Sequence, residues 1–300
     1  MKRGTKNLKM EGQPYVPLSF GHPSCGTSSC EGVGDEGIPQ VVNLGKNNPF
    51  DEISADLYQI DYKNRIIVID EKIDERCFVY AKMIENWNRV DKKIYYLKEK
   101  FSSLYKRAPM IGPILGLQAA NSREEAEALL TNSIEEYPEL KQLFELLQEV
   151  DIDSTKILKY EFIPIKIKFN SPGGWMLAYE TLVDVIKLSK TKVIGINMGM
   201  AYSAAAFLLV HCHERLALSN SRMLIHRGSS SSFGSYEENE SSQRNYKERM
   251  DTMIKSFQER TKVPSSVLKK YMTPDWYLSA KKMLQYGLID RIVTNIDEII

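Results

Sequence analysis

An 18-residue stretch without a charged residue runs from Val193 to Val210 in this 300-residue chain. It reads VIGINMGMAYSAAAFLLV and must either cross a membrane or lie in a protein core. A spanning helix needs about 20 predominantly apolar residues, and this stretch is interrupted by Asn197, Tyr202, Ser203 and two glycines. We therefore reject the membrane interpretation and predict a buried strand, a tight turn and a buried helix.

The charge balance and the cysteines indicate which partners and which cellular compartment to expect. Lys and Arg number 40 against 39 Asp and Glu, a net charge of +1, which argues against a nucleic-acid or anionic-membrane surface over the whole molecule. The scattered cysteines do not make a disulfide framework; they are Cys25, Cys30, Cys77 and Cys212. The N-terminus lacks the apolar run of a signal peptide. We expect no nucleic-acid or membrane partner and a cytoplasmic location.

Residues 1–60 are predicted to be a flexible N-terminal extension, because the first 50 residues hold 8 of the 17 glycines. Gly32–Gly37 matches G-x-G-x-x-G, but no strand precedes it, so it lacks the context of a dinucleotide site. His22, Cys25 and Cys30 have metal-like spacing without a nearby fourth ligand for zinc. We expect no cofactor and no metal.

The remainder alternates between strand and helix signals. Arg65–Asp70 reads as a strand, Glu75 to about Arg89 as a helix, and residues 93–159 as a helix-rich block. From Ile163 onward short apolar strands alternate with helices, among them a long amphipathic helix from about Tyr236 to Arg260. This rhythm predicts an α/β fold with a largely parallel sheet.

Three local patterns could serve acyl-transfer chemistry, which needs a nucleophile, a base and oxyanion donors. Ser203 lies at a predicted strand-to-helix turn, His226 ends an apolar strand, and Asn170–Gly174 (NSPGG) ends another. Each has an ordinary alternative: a helix-capping serine, a histidine that merely closes a strand, and a Pro-Gly turn. No single pattern decides between them.

The patterns together are far more specific. The order NSPGG at 170–174, Gly199-x-Ala-x-Ser203, NSRMLIH at 220–226, DWYLSA at 275–280 and YGLID at 286–290 closely resembles the proteolytic subunit of the Clp protease. That family is a serine peptidase family of the crotonase-like superfamily. The resemblance covers about residues 64–92 and 160–300 and implies a crotonase-like fold of repeated ββα units with a largely parallel sheet. Residues 61–300 would form the peptidase domain, interrupted by a helical insertion at about 93–159.

The resemblance also implies roles for single residues. Ser203 would be the nucleophile of a serine endopeptidase, His226 the general base and acid, and Asp275 the carboxylate that orients His226. The backbone N–H groups of Gly174 and Ala204 would form the oxyanion hole. Asp290 competes for the acid role, but it occupies the family's structural Gly-Leu-Ile-Asp turn.

The implied partners are a polypeptide substrate, a homo-oligomeric ring of stacked heptamers, and an ATP-dependent unfoldase or a paralogous subunit. The chain departs from the family at two points near the site. Ala204–Ala205 stands where Met-Gly is usual, and Arg227–Gly228 where Gln-Pro is usual. The N-terminal extension replaces the segment that lines the family's axial pore, which puts unfoldase docking in doubt.

Other interpretations remain open at this point. The chain could be a virus-encoded peptidase that processes one structural protein, or a non-proteolytic scaffold or adaptor of a Clp-like assembly. It could also be a crotonase-like enzyme that acts on an acyl-CoA thioester, although that superfamily does not characteristically carry this serine triad.

Overall fold

The computed structural model describes residues 60–117, 122–271 and 275–300, without the side chains of 123–126 and 271. Residues 1–59 of the predicted extension, with the glycine motif and the group of His22, Cys25 and Cys30, fall outside them, and Ile60 begins the first strand. The strands are β1 (Ile60–Asp61), β2 (Ile66–Ile69), β3 (Ile165–Ser171), β4 (Val193–Tyr202), β5 (Glu214–Ala217), β6 (Arg222–Ile225), β7 (Trp276–Ser279) and β8 (Arg291–Ile292). The helices are α1 (Arg76–Arg107), α2 (Arg123–Glu136), α3 (Glu139–Glu149), α4 (Ser154–Ile157), α5 (Met176–Leu188), α6 (Ala204–His211), α7 (Tyr236–Arg260), α8 (Ser265–Tyr271) and α9 (Ala280–Gln285), with short 3-10 helices at Pro109–Ile111 and Ile296–Glu298.

Within the described residues the strands form one eight-stranded sheet in the order β1-β2-β3-β4-β5-β8, while β6 pairs with both β4 and β7. The pairs β2–β3, β3–β4, β4–β5, β4–β6 and β5–β8 are parallel. Among the described strand pairs, only β1–β2 and β6–β7 are antiparallel. The largely parallel α/β fold predicted from the sequence is confirmed.

The uncharged stretch forms a strand, a turn and a helix, as predicted. Strand β4 pairs along one edge first with β5, at Ile194–Asn197, and then with β6, at Met200–Tyr202. Helix α6 follows after Ser203 and is buried along its whole length, which explains why it is apolar on every side. No helix in the described parts of the chain is long and apolar enough to cross a membrane.

Helix α1 is much longer than the sequence pattern indicated. We expected its end near Arg89, but it continues to Arg107 and spans 32 residues. Neither glycine nor proline interrupts it, and its apolar stripe continues through the second half with buried Ile94, Leu97, Phe101 and Leu104. It ends just before Ala108-Pro109, because the residue that precedes a proline disfavours the helical conformation.

The two halves of α1 pack into different hydrophobic cores. The main core covers the sheet and contains Trp87, Phe207 and Phe257. A second core lies within residues 94–160, which we call the helical block. The predicted stripe on α3 packs there, since Leu140, Leu143 and Leu147 are buried and Phe144 contacts Phe101 edge-on at 5.8 Å between ring centroids. The bounds 93–159 as an insertion remain a prediction.

A buried ion pair lies where α1 passes from one core to the other. Both Asp91 oxygens accept hydrogen bonds from the Arg65 guanidinium, at 2.7 and 2.8 Å. The Thr191 hydroxyl donates to the same carboxylate at 2.6 Å. The cluster thus joins the start of β2, the middle of α1 and the loop before β4.

Candidate active site

The sheet topology brings three strand ends together. Strand β6 runs parallel to β4 and β7 runs antiparallel to β6. The carboxyl ends of β4 and β6 therefore lie beside the amino end of β7. Ser203 follows β4, His226 follows β6 and Asp275 precedes β7.

Ser203 occupies a strained backbone conformation. Its φ is 53° and its ψ −124°, a region costly for a residue with a side chain and typical of functional sites. A hydrogen bond from its N–H to the Leu224 carbonyl, at 2.9 Å, holds the turn against β6. The Ser203 side chain makes no hydrogen bond that caps helix α6, so the capping interpretation is wrong.

The Ser203 hydroxyl faces a histidine that in turn faces a carboxylate. The distance between Ser203 Oγ and His226 Nε2 is 2.8 Å, and that between His226 Nδ1 and Asp275 Oδ1 is 3.4 Å. A carboxylate can only accept, so the neutral ring carries its proton on Nδ1 and presents the Nε2 lone pair to the serine. The Asp275 side chain is 54% exposed, so water reaches this end of the arrangement.

The NSPGG segment passes directly beside this turn. Gly173 has a φ of +91°, and a Cβ atom added there would lie 2.7 Å from Ser203 Cβ and 3.0 Å from Ala204 N. Only glycine allows so close an approach. The segment is held from within, because the Gly173 N–H donates to Ser171 Oγ at 3.1 Å.

The two expected oxyanion donors lie at this contact. Ile73 forms a parallel bridge to Gly174, donating to the Gly173 carbonyl at 2.9 Å and accepting from the Trp175 N–H at 2.8 Å. Because successive N–H groups of an extended chain point to opposite sides, the Gly174 N–H points away from Ile73. Ala204 is the first residue of α6, where backbone N–H groups have no partner inside the helix. Neither N–H donates a hydrogen bond to a described backbone carbonyl.

The competing carboxylate is engaged elsewhere. Asp290 accepts hydrogen bonds from the backbone N–H of Arg215 at 2.9 Å and from its Nε at 3.1 Å. Burial raises the pKa of this carboxyl, but the hydrogen bonds and charge of Arg215 outweigh that effect, and the pKa is lowered overall. Asp290 therefore anchors β8 to β5, and the carboxylate opposite His226 is Asp275.

A serine on a strained strand-to-helix turn, hydrogen-bonded to a histidine that faces a carboxylate, defines a serine hydrolase on a mostly parallel α/β scaffold. The family model described as Clp protease matches residues 158–296. A protein of Rhizobium meliloti named ATP-dependent Clp protease proteolytic subunit 3 is 32% identical over 177 residues, which cover 58% of this chain and 90% of that protein. The chain therefore belongs to the Clp protease family of serine-type peptidases.

Two further relatives give the same picture. The protein of the same name from Rhizobium etli is 32% identical over 173 residues, covering 57% of this chain and 88% of the relative. The ATP-dependent Clp protease proteolytic subunit of Deinococcus radiodurans is 32% identical over 131 residues. That match covers 43% of this chain and 64% of the relative, slightly less than two thirds of its length.

Contacts around the site include pairs of residues that sequence patterns did not predict. Tyr246 on α7 donates to the carbonyl of Arg227, next to His226. His211, at the far end of α6, hydrogen-bonds Ser256 on α7. Both pairs join residues distant in sequence, so no local motif marks them. In the described ranges 60–117, 122–271 and 275–300, no group of three or more His, Cys, Asp or Glu side chains is placed to share a metal ion.

Proposed function

We propose that this chain is a serine endopeptidase that cleaves polypeptides through an acyl-enzyme, with Ser203, His226 and Asp275 as its triad. The observation that supports this most directly is the 2.8 Å contact between Ser203 Oγ and His226 Nε2. A serine hydroxyl is a weak nucleophile until a base within hydrogen-bond reach takes its proton. His226 is within that reach, in the tautomer that the reaction needs.

The reaction then follows from the geometry. His226 Nε2 takes the Ser203 proton as Oγ attacks the scissile carbonyl carbon, and the carbonyl oxygen becomes an oxyanion. The N–H groups of Gly174 and Ala204 donate to that oxyanion. His226 passes the proton to the leaving amine, which departs and leaves an ester on Ser203. Water, deprotonated by His226, hydrolyses the ester and restores the serine.

The assembly belongs to the same proposal. We propose a homo-oligomeric ring, stacked as two heptamers, that encloses the active sites. Its partner is either an ATP-dependent unfoldase that delivers the substrate or a paralogous subunit. The relatives are named as proteolytic subunits of an ATP-dependent protease, which supports a partner of this kind. A cytoplasmic location is consistent with Cys77 and Cys212, which are buried free thiols.

A fluorophosphonate, which phosphonylates activated serines with loss of fluoride, tests the triad. Wild-type protein and the Ser203→Ala variant are labelled side by side, and the adduct is located by intact mass and peptide mapping. We expect one adduct, on Ser203, and loss of both labelling and peptide cleavage in Ser203→Ala at an unchanged thermal midpoint. Equal peptide cleavage by the two proteins would overturn the proposal.

The runner-up function is a non-proteolytic scaffold or adaptor subunit of a Clp-like assembly. One observation favours it. The distance between Asp275 Oδ1 and His226 Nδ1 is 3.4 Å, beyond the usual hydrogen-bond distance, and the Asp275 side chain is 54% exposed. An assembled wild-type protein that takes up no fluorophosphonate would support the scaffold. Native mass spectrometry of the same sample measures the assembly independently, as a multiple of the 34.4 kDa chain mass.

A further inference from the structure

The segment that follows the proposed base is almost free of contacts. Residues 227–233 form neither helix nor strand, and each is exposed. They are rich in glycine and serine, which leaves the backbone many accessible conformations. Among the described residues, one hydrogen bond ties this segment to the rest of the protein: the Tyr246 hydroxyl donates to the Arg227 carbonyl at 2.8 Å.

The donor is well placed to act as an anchor. The Tyr246 ring packs against the main core, so only its hydroxyl extends toward the segment. Burial raises the pKa of the phenol above its ordinary value, and the hydroxyl keeps its proton at neutral pH. Gly228 adopts a φ of +74° beside it, and a Cβ atom added there would lie 3.3 Å from Tyr246 Oη.

Helix α7 itself does not depend on this hydrogen bond. Met250, Met253 and Phe257 on the same helix are buried in the main core. Arg249 pairs with Glu180 of α5 through two hydrogen bonds, of which that from Nε measures 2.8 Å. Loss of the Tyr246 hydroxyl alone therefore leaves the helix in place.

We propose that Tyr246 is a positioning residue that holds the backbone beside His226 so that the imidazole stays between Ser203 and Asp275. On its N-terminal side the backbone of His226 is held by β6, whose last residue Ile225 pairs with Trp276. On its C-terminal side the backbone is held by the hydrogen bond from Tyr246 to the Arg227 carbonyl. The inference rests on the proposed function, since it assigns Tyr246 a role in the action of His226.

The variant Tyr246→Phe removes one oxygen atom and keeps the ring. Tyr95→Phe is the matched control, because Tyr95 is 66% exposed on α1 in the helical block. Limited trypsin digestion, read by intact mass, measures the freedom of the exposed Arg227–Gly228 bond whether or not the protein is active. We expect faster cleavage after Arg227 in Tyr246→Phe alone. Equal cleavage rates in wild type and Tyr246→Phe would overturn the anchor.

The rate of fluorophosphonate labelling measured against probe concentration tests the positioning role. Because a hydrogen bond of this kind contributes modestly, we expect the maximal labelling rate of Tyr246→Phe to fall about 3- to 10-fold. The half-saturating probe concentration and the thermal midpoint should match those of wild type and Tyr95→Phe. A general structural defect would instead lower the thermal midpoint.

The remaining outcomes separate this inference from the proposed function. Wild-type labelling on Ser203 with an unchanged labelling rate in Tyr246→Phe overturns the positioning role and leaves the peptidase proposal intact. Absence of labelling on wild-type protein overturns the peptidase proposal itself and, with it, any role of Tyr246 in catalysis.

Discussion

At the scale of single residues, two histidines share a tautomer but differ in what they can do. His211 donates from Nδ1 to the Phe207 carbonyl at 2.6 Å, and its Nε2 accepts from the Ser256 hydroxyl at 2.8 Å. His226 likewise carries its proton on Nδ1, but its Nε2 faces the Ser203 hydroxyl. His211 is 1% exposed and no carboxylate among the described residues pairs with it, whereas His226 faces Asp275. Only His226 is placed to gain and release a proton repeatedly.

The exchange of Asp275 for asparagine tests how much the carboxylate contributes. Asparagine can present an amide donor to Nδ1, which favours the wrong tautomer, and it cannot stabilise the imidazolium. Because the carboxylate is half-exposed and water screens its charge, we expect peptide cleavage to fall about 10- to 100-fold rather than the larger loss of a buried acid. The measurement is kcat/KM with a fluorogenic peptide.

Asp290→Asn is the matched control for that prediction. It removes an equivalent charge from the partner of Arg215 and should lower the thermal midpoint while cleavage stays within about threefold. If Asp290→Asn lost activity and Asp275→Asn did not, the assignment of the acid would be reversed.

At the scale of elements, helices α6 and α7 form one unit behind the nucleophile. The rings of Phe207 and Phe257 lie 5.1 Å apart, and the His211–Ser256 hydrogen bond adds a polar contact. Arg260 donates to the Cys212 carbonyl at 2.7 Å, beside the carboxyl end of α6, where a cation is favourable. Ser203 stands at the other end of α6, so its position depends on this packing.

The buried His211 makes the stability of this unit dependent on pH. Burial, the largest cause, lowers its pKa to about 4 in the folded protein, against an ordinary value of about 6.5. As the pH falls below about 6.5, the unfolded chain therefore binds a proton that the folded protein does not, and stability is lost down to about pH 4. The loss attributable to this group is about 3 kcal/mol.

The variant His211→Gln does not titrate and should show a flatter decline over that range. The measurement is the free energy of unfolding in urea at several pH values between about 7 and 4. The glutamine variant is expected to be less stable at neutral pH, because its side chain fits the two hydrogen bonds less well. Parallel curves for the two proteins would contradict the assignment.

The helix and strand ends around the site could be predicted from the sequence because nearby residues determine them. The expected bounds of α7, Tyr236 to Arg260, match the structure, where Ser235 and Glu238 form a capping box after a Gly/Ser-rich stretch. The motifs also indicated Ser203, His226 and Asp275, which the structure brings together. The end of α1 was misplaced, although the stripe of Ile94, Leu97, Phe101 and Leu104, uninterrupted by glycine or proline, marks its continuation in the sequence. The anchor from Tyr246 to Arg227 and the Arg65–Asp91 pair join distant segments, which leave no periodic signal.

At the scale of the whole molecule, the main core and the core of the helical block are separate. A substitution in the helical block should therefore lower stability without lowering catalysis. Phe101 is fully buried in the helical block, and Phe257 is fully buried in the main core. Truncation of either ring to alanine should cost about 3–5 kcal/mol of the free energy of unfolding. We expect Ser203 labelling to persist in Phe101→Ala and to fall about tenfold or more in Phe257→Ala, because Phe257 supports α6 and small displacements of a nucleophile are costly.

Both variants are compared at a temperature where circular dichroism shows them folded, so that labelling reports the site and not the folded fraction. Equal loss of labelling in the two variants would mean that the helical block and the active site are coupled through the structure. Equal retention would mean that Phe257 does not hold the nucleophile in place.

Helix α1 adds a mechanical property to this division. Its 32 residues form an unbroken rod about 48 Å long, with its first half in one core and its second half in the other. A rod without a hinge transmits displacement along its full length. Because Asp91 lies between the two halves, the buried Arg65–Asp91 pair connects the helical block to strand β2 through this one helix.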